Sequence, residues 1–412
     1  MYNAERLSWI ARQLLQDSES SSTTSVPEEV KETKDGDILI ISFALIIVGV
    51  LIGYCYESYA CFRAMERYFP HASANMIFGF FVGLILSLTV TEFNDVFSFD
   101  PEFFFIYLLP PIIFSAGYNL RKDFFFHNFG SIMSFAFIGT TLSAFFIGAC
   151  LTAAGQMGIV TELSFTKNMM LGSLISAVDP VAVILVLKSL SVDEQLKILL
   201  FGESVLNDAA SVVINRVFVE IDKGGKSTSQ ALAPAIPQIA GIAIASMLIG
   251  TLIALFVALL HKWSKMNVKK GCAEIELAAF LLGAFLPYGI AEALGLSGIC
   301  SVLFAGIMTD YYTYHHLSKQ AQTSTRHIVS TLSYISELFV FIYLGMSFFL
   351  EKGHQFQAGY VVVTLLLCFL GRAISVFPLA FLLNMGRKHK LPFKHQLVLW
   401  YSGLRGPVAY AL

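Results

Sequence analysis

Apolar runs long enough to cross a bilayer recur along almost the whole chain, and this repetition leaves few folds open. A transmembrane helix needs about 17–25 predominantly apolar residues. Such runs lie near residues 37–60, 74–90, 102–117, 126–154, 168–188, 198–219, 233–260, 273–293, 297–311, 327–350, 357–384 and 396–412. Hydrocarbon offers no water to satisfy a backbone N–H or C=O, so segments of this kind cross as internally bonded helices. The expected fold class is an all-α polytopic membrane protein with about twelve transmembrane helices. Composition agrees: only 14% of the 412 residues are charged, against about 25% in a soluble domain.

The charges that remain are informative by position. Lys and Arg gather in alternate loops: Arg63 and Arg67 after the first run, Arg121 and Lys122 after the third, Lys262, Lys265, Lys269 and Lys270 after the seventh, Arg387, Lys388 and Lys390 after the eleventh. Basic residues mark cytoplasmic loops, so the N-terminal tail, residues 1–36, is expected outside or in a lumen. Its polar, low-complexity stretch from 17 to 36 reads as disordered. The six cysteines are scattered without a CxxC pair, so neither a disulfide framework nor a structural metal site is expected. No nucleic-acid-binding patch, cofactor motif or nucleophile–base pair is visible, and an enzyme is not expected.

Ionisable residues inside spans are costly and mark functional positions. Arg216 lies near the outer end of its run, where a long side chain can snorkel to the interface. Arg372 and Arg405 are deeper and need partners. Three acids are also deep: Asp179 in ISAVDPVAV, and Glu203 and Asp208 in FGESVLNDA. On a helix, Ser204 and Asp208 are four apart, as are Glu203 and Asn207, with Ser211 three further on. They form one polar face, which in a bilayer must meet a water-filled cavity or paired groups.

Asp179 precedes Pro180, which has no N–H to donate and disfavours helix at the residue before it. Carbonyls freed at mid-membrane are tolerated only where they line a cavity or are buried in protein. A second interruption, SGLRGPVAYAL, sets Gly403, Gly406 and Pro407 around Arg405. Two interrupted spans in corresponding halves point to inverted repeats with a binding site between them. If the seventh span links the repeats, the full pattern has thirteen spans, the last expected beyond Leu412.

At these residues the chain resembles the sodium/hydrogen exchangers of the monovalent cation:proton antiporter superfamily. ISAVDPVAV, FGESVLNDA, FFIYLLPPIIFSAGY, ISELFVFIYLGMS and SGLRG match family motifs in order. LPYGIAEALGLSGI and FPLAFLLNMGRKHK look closest to the isoform-eight branch, found mostly in Golgi and endosomal membranes with some plasma-membrane placement. The resemblance implies that Asp208 binds the ion beside Asn207, with Ser204, Asp179 and backbone oxygen near Val178 assisting. It implies a structural ion pair between Glu203 and Arg372, and places Arg405 at the crossing of two broken helices. Glu337 and Arg387 match positions that modulate activity. It further implies a homodimer, with scaffold helices about 37–117 and 233–350 and a transport bundle about 126–219 and 357–412. Pro407 departs from the family's usual Ala, and Arg216 from an uncharged position.

One carboxylate holds a proton or a cation, but not both well. Occupied either way it is neutral and crosses a low-dielectric barrier; charged, it crosses poorly. The expected activity is electroneutral exchange of Na+ for H+ that regulates pH, with K+ as the other candidate cation. A cation channel is the rival, although a channel ordinarily builds its filter from several subunits or repeated loops.

Overall fold

The computed structural model describes residues 28–60, 62, 71–89, 103–178, 193–223, 228–265, 273–349, 357–387 and 390–403, and the elements among them are helical. In chain order they are α1 (Glu28–Ser58), α2 (His71–Thr89), α3 (Phe104–Tyr118), the short α4 (Lys122–His127) and α5 (Phe129–Gln156). Then come α6 (Phe165–Ser176), α7 (Glu194–Asp222), α8 (Thr228–Ser264) and α9 (Ala273–Ala293). The last are α10 (Gly298–Met308), α11 (Lys319–Ser347), α12 (Ala358–Gly386) and α13 (Phe393–Tyr401). Among the described residues, eight helices are long and apolar enough to cross a membrane.

Several boundaries differ from the hydropathy reading, among them the start of α11 at Lys319 rather than near 327, and two bear on the argument. Helix α1 begins at Glu28, inside the segment read as a disordered tail. Its first turns, EEVKETK, consist largely of good helix formers, and acidic residues suit a helix N-terminus. Helix α6 ends at Ser176, with Ala177 in extended backbone (φ −62°, ψ 136°). The rest of that run, Asp179 and Pro180 included, lies outside the described residues, as do Arg405, Gly406 and Pro407. Helices α3 and α5 also contain π turns, at Phe104–Leu108 and Ser134–Gly139, and a third π turn, Thr309–Thr313, follows α10; apolar periodicity does not signal them.

Large apolar side chains point outward along whole helix faces: Ile40, Phe43, Ile47 and Leu51 on α1, and Leu365, Leu366, Phe369, Phe381 and Leu382 on α12. A water-facing surface rarely carries so contiguous an apolar stripe, whereas lipid requires it. Helix α7 is the opposite case. Its span is 88% buried inside the protein, against 17% for the span of α1, so α7 runs through the centre.

Two packed groups surround it. Helices α5 and α6 pack on α7, α12 packs on α5, and α13 packs on α12. In the other group α2 lies along α11, α3 packs on α10 and α11, and α8 packs on α9 and α10. Helix α7 also touches α8 and α10, and so borders both groups.

Without a hydrophobic force between helices in lipid, close approach depends on small residues at the crossings. A Cβ at Gly79 would sit 2.0 Å from the Ile342 carbonyl oxygen, and one at Gly345 would sit 2.0 Å from that of Met76. The two glycines thus let α2 and α11 meet backbone to backbone. Gly148 and Gly172 act the same way between α5 and α6. Overpacking a tight site typically costs about 1–3 kcal/mol. Gly345→Leu is therefore expected to lower the midpoint of thermal aggregation in detergent, relative to Gly359→Leu, where nothing lies within 4 Å. Equal midpoints would show that this crossing is not a close contact.

Candidate ion-binding site

The polar face of α7 lies entirely inside the protein. Glu203 and Ser204 are 1% exposed, and Asn207, Asp208 and Ser211 have no exposure at all. Asp193 caps the helix, accepting from the Gln195 N–H at 3.2 Å, so these residues fall in the middle of a 29-residue helix. Ser204 Oγ donates to the Phe201 carbonyl at 3.0 Å. Ser211 Oγ donates across to the Ser173 carbonyl on α6, which also accepts from Ser176 Oγ at 2.6 Å. Both side-chain atoms of Asn207 lack a hydrogen-bond partner among the described residues. A buried amide in that state marks a position where another oxygen-bearing group or an ion belongs.

Helix α6 gives out beside this face. Its last turn ends at Ser176, and Val178 follows, 1% exposed. The Ser211–Ser173 hydrogen bond sets the last turn of α6 against this polar face at its Ser211 end. On the other side stands α10, where the fully buried Cys300 thiol is within electrostatic range of Asp208. Asp208 thus lies on the helix that borders both groups.

The deep arginine has partners. Arg372 on α12 is 6% exposed, and its Nη1 donates to Glu203 Oε1. Its Nε and Nη2 both donate to the Leu399 carbonyl on α13, each at 3.2 Å. One guanidinium thus ties α7, α12 and α13 together, using the planar donor fork that lysine lacks.

Other candidates sit elsewhere. Glu337 on α11 accepts from Ser333 Oγ at 3.1 Å, in a helix packed on α1, α2 and α3. Arg387, just past α12, donates to Asn128 Oδ1, which also accepts from Gln195 Nε2 at 3.1 Å. Burial lowers the Arg387 pKa from its ordinary value. Asn128, at the foot of α5, is a junction that sequence reading passed over; a polar residue opening an apolar run was the available sign. Arg216 does not simply snorkel: it points to Glu292 on α9. Asp179 and Arg405 lie outside the described residues.

A family model described as sodium/hydrogen exchanger, transmembrane, matches residues 44–412. The chain is 36% identical over 397 residues to sodium/hydrogen exchanger 8 of Gallus gallus, covering 94% of this chain and 67% of that protein. It is 37% identical over 388 residues to the Rattus norvegicus protein of the same name, covering 91% and 64%. Sodium/hydrogen exchanger 5 of Arabidopsis thaliana is 34% identical over 389 residues, covering 93% and 73%. The chain thus spans about two thirds of the length of the exchanger 8 proteins. In structure it is similar to the sodium proton antiporter MjNhaP1 of Methanocaldococcus jannaschii, with a TM-score of 0.68 over 92% of this chain and 85% of that one, at 17% identity.

Removing one partner of a buried ion pair costs about 3–5 kcal/mol, because the other charge is stranded. Glu203→Gln and Arg372→Met should each lower the yield of monodisperse protein sharply. The double variant should lose less than the two single losses combined. Additive losses in this cycle would mean that the pair contributes no coupling.

Proposed function

The chain belongs to the sodium/hydrogen exchanger family, and from that premise we propose that it exchanges Na+ for H+ electroneutrally, using Asp208 as the shared binding group. The observation that carries this reading is the burial of Ser204, Asn207 and Asp208 on one stripe of the central helix, beside the point where α6 stops being helical. Carboxylate, amide and hydroxyl oxygens suit a small hard cation. Asn207 and Ser204 supply neutral oxygens, Asp208 supplies the charge, and Asp179 with backbone oxygen near Val178 is assigned to complete the shell. Potassium is the other cation the same oxygens would accept.

Binding either ion removes the Asp208 charge. Moving an unpaired carboxylate through a low-dielectric barrier is strongly opposed, so the empty site stays on its side. Exchange follows: the carboxylate leaves one face with a cation and returns with a proton. Helices α5, α6, α7, α12 and α13 are assigned to the moving bundle and the other group to a scaffold that also forms a homodimer. The Glu203–Arg372 pair keeps the moving helices together, Arg405 neutralises the crossing of the broken helices, and Glu337 and Arg387 modulate the rate. The resemblance to the isoform-eight branch favours Golgi or endosomal membranes, where exchange would set lumenal pH, over the plasma membrane.

Purified protein in acid-loaded proteoliposomes tests the reading. Added sodium should raise lumenal pH, and Asp208→Asn should reduce this to the rate of protein-free vesicles while remaining monodisperse. Substituting potassium or lithium for sodium ranks the cations. Exchange retained by Asp208→Asn would remove that carboxylate from the centre of the mechanism.

A further inference from the structure

Arg216 and Glu292 meet across the border between the two helix groups. Arg216 stands on α7 eight residues beyond Asp208, about 12 Å further along the helix at 1.5 Å per residue. Its Nη2 is 3.9 Å from Glu292 Oε2, in the last turn of α9. The other carboxylate oxygen, Oε1, accepts from the Gly298 N–H at 3.1 Å, where α10 begins. Glu292 therefore fastens the α9–α10 turn with one oxygen and presents the other to the helix that carries the ion site. Tyr288, one turn back on α9, lies against Gly298: a Cβ there would be 2.6 Å from its ring. The glutamate is held in place before the arginine arrives. Both helices run from basic, cytoplasmic loops, so the contact lies at the lumenal or extracellular mouth.

We propose that Arg216 and Glu292 are positioning residues for exchange: a latch that closes the lumenal mouth and must break each time Asp208 is exposed there. This inference rests on the exchange reading, in which α7 moves against α9 and α10. A contact bridging a moving helix and a fixed one exists only in the conformations that hold them together, so it biases the balance between the two access states. Its strength suits that role. The side chains are 54% and 40% exposed and the separation is 3.9 Å, which is the geometry of a weak, screened pair rather than a buried clamp. A pair of this class biases an equilibrium by about two- to fivefold. That is enough to set a resting state and too little to arrest the cycle.

The test measures the KM for sodium from each face of oriented proteoliposomes. Opening the latch raises the fraction of protein facing the lumen, and apparent affinity scales with the competent fraction. R216Q and E292Q should each lower the lumenal KM and raise the cytosolic KM, by about two- to fivefold between them. E292Q is the cleaner variant, since an amide oxygen still accepts from Gly298. R216K should stay near wild type, and the double variant R216Q/E292Q should match the singles. A general packing defect would instead move both KM values in the same sense or lower the yield. KM values unchanged from both faces, shifted in the same sense, or additive in the double variant would overturn the latch. Wild-type protein that moves no sodium against protons would overturn the exchange reading, and the latch with it.

Discussion

An ionised group in hydrocarbon must meet an opposite charge or a set of hydrogen-bond donors, and the packing around α7 is arranged on that requirement. Glu203 and Asp208 stand five residues apart in the most buried of the eight long apolar helices among the described residues, and their surroundings differ. Glu203 receives a guanidinium that also holds the Leu399 carbonyl, so its charge is spent on joining three helices. Asp208 sits at the border with α10, beside an amide with no hydrogen-bond partner among the described residues. One carboxylate is fixed by a permanent counter-charge.

That division needs helices that hold their places without a hydrophobic drive between them. Glycines supply it within each group. Gly79 and Gly345 lock α2 to α11, and Gly148 and Gly172 lock α5 to α6. Between the groups the contacts are mixed: Phe129 on α5 lies edge-on to Phe304 on α10, ring centroids 6.2 Å apart. The half-exposed Arg216–Glu292 pair spans the border, and a pair of that kind breaks at small cost.

Much of this was legible in the sequence because lipid imposes simple rules. Apolar length located the eight long apolar helices among the described residues, and spacing of three and four placed Ser204, Asn207, Asp208 and Ser211 on one face. Pairings between distant segments were not legible. Nothing in spacing joins Glu203 to Arg372; that expectation came only with the family resemblance. Nothing joined Arg216 to Glu292 or Arg387 to Asn128, because such contacts depend on how helices are arranged about α7. The start of α1 at Glu28 was missed because low complexity outweighed the helix propensity of Glu and Lys. The π turns at Phe104–Leu108 and Ser134–Gly139 were missed because their sequences are as apolar as their surroundings.

The central claim is that one carboxylate carries one cation or one proton, and never crosses charged. Its most direct test is the null point of flux in proteoliposomes with imposed sodium and proton gradients, at several clamped membrane potentials. The account predicts no net movement when the two gradients are equal in ratio, whatever the potential. A null point that shifts with voltage would mean that net charge crosses in each cycle, and would contradict it.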